Sequence, residues 1–261
     1  MLAKLLKYEL PAMGRKLLPL YAAWAVTAVF LGIGTQSSAS KTDFIAVMSI
    51  LLYTAIATAI VVMSVIMIVQ RYSRSLLGEE AYFNQTLPVS AAAHIGNKLI
   101  SATVWISVTA LVALLTGFLI LIGMGFIVGF DSFKAEYIDI PKGFWGLSFE
   151  MIILIIASIV KSVMQIYAAV TIGHQAQNHT TLASIGAYIA VLVFEGSLGR
   201  IVMGMIPSMT KLVYGAEGLY GPDGMLNFTG IFIPALLTTA ALSAIYFFIC
   251  KYLMEKRLNL A

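Results

Sequence analysis

Charge and cysteine are both scarce in this chain. Asp, Glu, Lys and Arg together make up 11% of its 261 residues, against about 25% in a typical soluble domain. Hydrophobic residues make up 60%, and the mean hydropathy is +0.94. The single cysteine, Cys250, excludes an intramolecular disulfide, and its place in the last apolar block favours a packing role. This composition excludes a soluble globular domain and predicts an all-α polytopic membrane protein.

Motifs for nucleotide or metal chemistry are also missing. No glycine precedes Gly96 at the spacing of a phosphate-binding loop, and no Ser or Thr follows Lys98. The three histidines have no cysteine or carboxylate cluster beside them, and the last two do not share a helical face; they are His94, His174 and His179. We therefore expect no metal site, no catalytic residue and no cofactor in this chain, so any ATP would be hydrolysed by another polypeptide.

Six apolar blocks are each long enough to cross a bilayer, whose hydrocarbon core needs about 20 residues per helix. They comprise residues 17–33, 44–69, 99–128, 151–172, 182–205 and 228–250. The chain has no internal repeat, low-complexity tract or soluble domain. We therefore predict one transmembrane domain of six helices over residues 1–261.

The segment before the first block is short, charged and patterned. Leucines recur at helical spacing between charged side chains, which is typical of an amphipathic helix in the membrane interface; they are Leu2, Leu5, Leu6 and Leu10. Pro11 and Gly14 follow and predict a bend between this interfacial helix and the first span.

Cations in the short loops indicate the orientation, because cytoplasmic loops are enriched in Lys and Arg. The loops on one side of the membrane carry the majority of these residues: Lys4, Lys7, Arg15, Lys16, Arg71, Arg74, Lys98, Lys251, Lys256 and Arg257. The opposing loops hold fewer cations and most of the acids. Both termini are therefore predicted to be cytoplasmic. The same loops explain the net charge of +4 without any nucleic-acid partner.

The longest polar run between two apolar blocks extends from Arg71 to Lys98. Its composition favours a helix up to Phe83, and Pro88 then breaks the helix because it lacks an amide donor. Ser90 is suited to cap a new helix that continues into the third block. We predict a helical elbow on the cytoplasmic face, at which a soluble partner would push.

Two opposite charges lie deep inside apolar blocks, where an unpaired charge is costly. Lys161 lies in the fourth block and Glu195 in the fifth, and both are roughly 20 Å from the turn between the blocks at 1.5 Å per residue. Gln165 lies one helical turn from Lys161 on the same face. We predict a contact or a shared polar site between Lys161 and Glu195. Its role is either to lock two helices together or to line a substrate path.

One run of residues resembles a known family. The sequence Leu76-Leu-Gly-Glu-Glu-Ala-Tyr-Phe-Asn-Gln-Thr-Leu-Pro-Val-Ser90, followed by Asn97-Lys98-Leu99, is similar to the loop between spans two and three of ABC-2-type exporter permeases of Gram-positive bacteria. The start Met1-Leu-Ala-Lys-Leu-Leu-Lys-Tyr-Glu9, the exit Ile172-Gly173-His174 and the end Lys256-Arg-Leu-Asn-Leu260 also resemble that family.

The resemblance implies the type-2 ABC exporter fold, with two permeases, identical or related, and two separate ATPase subunits that bind ATP and Mg²⁺. It implies that the elbow carries a coupling helix seated in the ATPase. The coupling residues would be Gly78, Glu79, Glu80, Tyr82, Phe83, Thr86, Leu87 and Pro88. Glu79 and Glu80 would meet cations, and the two aromatic residues would be rigid anchors.

The function implied is the permease subunit of an ATP-driven exporter in the bacterial cell membrane, which moves a peptide, a drug, an amphiphile or a sodium ion outward. Two alternatives stay open: a non-transporting assembly or sensor subunit, and a membrane-embedded enzyme. The enzyme would need convergent polar groups, and the sequence offers mainly Lys161, Gln165 and Glu195. A pair of glutamates also opens the motif of intramembrane CAAX-type proteases, but position 84 is Asn where that motif has Arg.

Overall fold

A computed structural model describes residues 2–36, 43–78, 90–123, 144–176, 179–205 and 229–256. The helices are α1 (Leu2–Gln36), α2 (Asp43–Tyr72), a π-helical turn (Ser73–Leu77), α3 (Ala91–Gly123), α4 (Phe144–Gly173), α5 (Thr180–Met205) and α6 (Thr229–Lys256). Over these ranges there is no β-strand. The six α-helices are long and apolar enough to cross a membrane, which confirms, for the described residues, the prediction of helices alone with six of spanning length.

The first helix begins earlier than the first predicted span. Residues 2–36 form one helix with Pro11 and Pro19 inside it, so the predicted interfacial segment and the first span belong to the same helix; the interfacial position of the segment stays a prediction. Gly14 serves close packing: a Cβ there would lie 2.8 Å from the ring of Trp105 on α3. The indole nitrogen of Trp105 also donates to the carbonyl oxygen of Leu10 at 3.1 Å. These contacts hold the segment against α3, which sequence spacing does not reveal.

The described helices form two compact units. The first comprises Met1–Gln70 and Ile100–Asp139. Polar contacts join its three helices, which are α1, α2 and α3. The hydroxyls of Tyr21 and Thr109 are 2.6 Å apart, and those of Tyr53 and Thr116 are 3.2 Å apart. The rings of Trp24 and Tyr53 lie 5.8 Å apart. Such interhelical hydrogen bonds, with van der Waals packing, hold membrane helices together because lipid tails provide no hydrophobic driving force.

The second unit comprises Arg71–Leu99 and Ile140–Ala261. Helix α4 lies at its centre and packs against α5, α6 and the π-helical turn. Most side chains of α4 from Val163 to Thr171 are buried, including small ones that permit close approach. At the end of α4, a Cβ on Gly173 would overlap the backbone of Ser184. Glycine at this position therefore lets α4 and α5 meet tightly beside the predicted turn.

Helix α3 begins as the sequence predicts. The backbone N–H of Ala93 donates to the Ser90 carbonyl oxygen at 2.9 Å and lies 3.4 Å from the Ser90 hydroxyl. Ser90 therefore caps the helix, as a serine at this position does. The cap places the start of α3 eight residues before the predicted start of the third span, at residue 99.

Candidate functional site

The two charges predicted to meet deep inside apolar helices are in contact. The ammonium nitrogen of Lys161 on α4 lies 2.8 Å from Oε2 of Glu195 on α5. The hydroxyl of Tyr246 on α6 donates to Oε1 of the same carboxylate at 2.6 Å. The contact predicted from matched depth is therefore present. The structure adds a third helix, and we call these three residues the polar triad.

Both charged side chains of the triad are largely but not fully enclosed. The side chain of Lys161 is 21% exposed and that of Glu195 is 13% exposed. Pairing at 2.8 Å leaves the site without net charge, which reduces the cost of placing ions in apolar helices. The sequence did not predict Tyr246 as a partner, because the sixth block contains no charged residue whose depth could be compared with that of Lys161 and Glu195. The one indication was that Tyr246 is the only tyrosine in this block, and a single tyrosine there also fits an ordinary packing residue.

Gln165 lies one turn beyond Lys161 on α4, as predicted, but it is enclosed more fully. Its exposed fraction is only 3%. Its amide nitrogen contacts no hydrogen-bond acceptor among the described residues. A buried amide donor without a partner is unusual, because each one costs about 1–3 kcal/mol.

A second polar cluster lies about two turns further along α4, and we call it the tyrosine cluster. The rings of Tyr72 and Tyr167 stack at 4.0 Å with 9° between their planes. The Thr171 hydroxyl donates to the backbone carbonyl oxygen of Tyr167 at 2.7 Å. Because its proton is used there, the Tyr72 hydroxyl, at 2.8 Å, is the donor to Thr171 Oγ1. The thiol of Cys250 lies 3.9 Å from the same Thr171 oxygen, which agrees with the packing role predicted for it.

The tyrosine cluster joins both ends of the elbow to one helix. Tyr72 directly precedes the π-helical turn, and Tyr167 donates its hydroxyl to the carbonyl oxygen of Lys98 at 3.1 Å. Residues on both sides of the elbow's undescribed part, residues 79–89, therefore contact α4. No pattern in the sequence indicates this convergence, since Tyr72 and Tyr167 are 95 residues apart in the chain.

Of the predicted coupling residues, the structure describes only Gly78. It follows the π-helical turn with φ −105° and ψ −156°, an extended conformation that ends the helix. The other coupling residues lie outside the described residues: Glu79, Glu80, Tyr82, Phe83, Thr86, Leu87 and Pro88. The elbow helix and the role of these residues stay predictions.

A hydrogen bond also holds the π-helical turn to the end of α4. The Oγ of Ser73 lies 2.9 Å from Nε2 of His174, the first residue after α4. Burial lowers the pKa of His174 below its ordinary value of 6.5. His179, on the other side of the α4–α5 turn, is exposed.

Stability is expected to fall on acidification because of His174. Below pH 6.5 the unfolded chain binds a proton that the folded chain, with its lowered pKa, does not. The free energy of unfolding should therefore decrease as the pH falls from 6.5 to the lowered pKa, and then level off. Thermal melts between pH 7.5 and pH 5 measure this effect. His174→Gln should reduce the slope more than His179→Gln, which removes an exposed histidine; equal slopes in all three proteins would contradict the assignment.

No group of three or more His, Cys, Asp or Glu residues that could hold a metal ion occurs within the described part of the chain. The described site offers paired charges, a phenol and an amide within apolar helices. Comparison with protein families, curated proteins and solved structures finds no match to this chain.

Proposed function

We propose that this chain is the membrane-spanning permease subunit of an ATP-driven exporter of the ABC-2 type, in the cell membrane of a bacterium. Both termini would be cytoplasmic. ATP and Mg²⁺ would bind to separate ATPase subunits, and a second permease, identical or related, would complete the pore. Six apolar helices, a sequence without a phosphate-binding loop, and the resemblance of residues 76–99 support this proposal.

The attachment of the elbow to α4 is the observation that carries the proposal. Tyr72 and Lys98 flank the predicted coupling segment, and both contact Tyr167. A force applied to the coupling segment would therefore reach α4 through the residues on both sides of that segment. Because α4 also packs against α5 and α6, such a force would shift α4 against these two helices.

Lys161 of the polar triad lies on α4, the helix that would receive this force. Lys161 is six residues, somewhat under two helical turns, from Tyr167. Movement of α4 relative to α5 would change the distance between Lys161 and Glu195, so the ion pair is suited to distinguish two arrangements of the helices. The proposed cycle thus links ATP hydrolysis outside this chain to a polar contact inside the membrane.

The test combines Glu80→Ala with Tyr82→Ala. We expect the double variant to insert normally, but transport should fall at least about tenfold because one charged contact and one aromatic anchor are lost. Transport is measured in vesicles that contain the chain and an ATPase subunit that co-purifies with it, with ATP hydrolysis followed in parallel. Substrate-dependent stimulation of hydrolysis separates a permease from a non-transporting sensor subunit.

A matched control is available on α6. Tyr252 is exposed and Glu255 lies near the end of the helix, so Tyr252→Ala with Glu255→Ala removes the same residue types elsewhere. The control should transport normally. Normal transport by the Glu80 and Tyr82 variant, or failure of the chain to bind any ATPase, would overturn the proposal.

A further inference from the structure

The polar triad and Gln165 together hold more hydrogen-bond donors than the described residues use. The ammonium of Lys161 has three N–H donors, and its one hydrogen bond within the described part of the chain goes to Glu195. The amide nitrogen of Gln165 has two more donors and no acceptor among the described residues. Gln165 is 3% exposed, so bulk solvent does not replace the missing acceptor. The face of α4 at these two residues is thus suited to an additional acceptor group.

Packing alone does not explain the glutamine. Neighbouring residues on α4, such as Val163 and Met164, are apolar and fully buried, and an apolar side chain of similar volume would avoid an unpaired donor. Inside a membrane helix, a polar residue is costly unless it has a partner or lines a functional path. An acceptor supplied by another molecule would remove this cost.

Charge decides which kind of acceptor fits. The ion pair leaves the site neutral, with Glu195 already accepting from Lys161 and Tyr246. An anion would compete with Glu195 for the ammonium and add an unpaired charge in a low-dielectric region. A cation would face an ammonium and unused donors. A neutral carbonyl oxygen accepts hydrogen bonds without changing the charge balance.

Depth decides where that carbonyl comes from. Lys161 lies 12 residues before Gly173, the end of α4, which corresponds to about 18 Å of helix. Glu195 lies 15 residues after Thr180, the start of α5, which corresponds to about 22 Å. The hydrocarbon core is about 30 Å thick, so the site is well inside it. The ester carbonyls of ordinary lipids stay at the interface, and an occupant must therefore carry its own carbonyl into the apolar region.

We propose that Lys161 and Gln165, with Glu195 opposite, bind the neutral amide or ester carbonyl of an apolar amphiphile inside the membrane. The carbonyl oxygen accepts from the Lys161 ammonium and the Gln165 amide, while Glu195 keeps its contact with Tyr246. The inference that such a molecule is the exported cargo rests on the proposed function. Binding of the carbonyl by itself needs no ATPase and is tested on the chain alone.

The experiment uses the full chain in nanodiscs and a series of probes that share one alkyl chain. N-dodecylacetamide carries the neutral carbonyl, dodecanoate is anionic, and dodecyltrimethylammonium is cationic and has no hydrogen-bonding head. We expect saturable binding of N-dodecylacetamide, labelled with ¹³C at the carbonyl and seen as a shifted amide band in the infrared. Dodecanoate and dodecyltrimethylammonium should not compete for the site.

Gln165→Leu is the decisive variant. It should melt at the same or a higher temperature, since it removes an unpaired buried donor, yet bind N-dodecylacetamide at least about tenfold more weakly. Ser162→Ala is the control, because Ser162 is exposed beside Lys161 and donates to Ser158 of the same helix. It should bind normally.

Absence of saturable binding, preferential binding of dodecanoate, or unchanged affinity in Gln165→Leu would each overturn the inference. None of these outcomes bears on the ATPase-coupling test, which can succeed while this one fails. Conversely, carbonyl binding by a chain that engages no ATPase would leave the site intact and remove only its role in export.

Discussion

Tyr167→Ala is expected to lower the free energy of unfolding by about 3–5 kcal/mol, the range for truncating a large buried aromatic side chain. Tyr167 is 2% exposed, stacks on Tyr72 and donates to the carbonyl oxygen of Lys98. The substitution therefore leaves a cavity and removes both of these links between the elbow and α4. Unfolding by denaturant in bicelles, followed by near-UV circular dichroism, measures the change.

Two further variants separate the contributions of Tyr167. Tyr167→Phe keeps the stacked ring and loses the hydrogen bond to Lys98, so a loss of about 1 kcal/mol is expected. Tyr188→Ala on α5 removes the same residue type where it is 37% exposed, and should cost much less. A Tyr167→Ala protein as stable as Tyr188→Ala would show that the tyrosine cluster does not hold the elbow to α4.

The same variants bear on the proposed export cycle. If the elbow transmits force through Tyr167, then Tyr167→Phe should insert and bind the ATPase, but its transport rate should be lower than that of the unmodified chain. Its folded structure should be nearly unchanged, because the ring stays in place. A stability defect alone would reduce the amount of protein without changing transport per folded molecule.

Lys161→Met is expected to destabilise the protein by about 2–3 kcal/mol, somewhat less than the loss of one partner from a fully buried ion pair. It leaves the Glu195 carboxylate inside apolar helices with Tyr246 as its one remaining donor among the described residues. Adding Glu195→Gln should restore most of the stability, because the second charge is then removed and the amide oxygen of the substituted side chain still accepts from Tyr246. Denaturant unfolding of the single and double variants measures this difference.

The stability and transport of the Lys161→Met, Glu195→Gln double variant distinguish the two roles left open for this ion pair. If the pair only locks α4 to α5, the double variant should be both stable and active. If it lines a substrate path, the double variant should be stable but transport poorly. Lys251→Met is the control, since its pair with Glu255 is 4.0 Å long and exposed, and pairs of that kind contribute little. A Lys161→Met protein no less stable than this control would contradict the structural importance of the triad.

The number and type of the helices were determined by the sequence. Each apolar block is long enough to cross a bilayer, and a segment in lipid must satisfy its backbone hydrogen bonds within itself, so a helix is the natural result. The contact between Lys161 and Glu195 was also predictable, because helix rise converts residue number into depth and two opposite charges at one depth favour pairing. Ser90 was identified as a cap from its position alone.

Only the tertiary structure decided which residues meet across long separations in sequence. Tyr246 joins the ion pair, Tyr167 binds both flanks of the elbow, and Trp105 packs on Gly14 within an uninterrupted α1. The physical reason is that periodicity and hydropathy fix the axis and length of a helix but not its rotation or its neighbours. Those depend on side-chain packing and interhelical hydrogen bonds, which form between residues whose proximity no local pattern encodes.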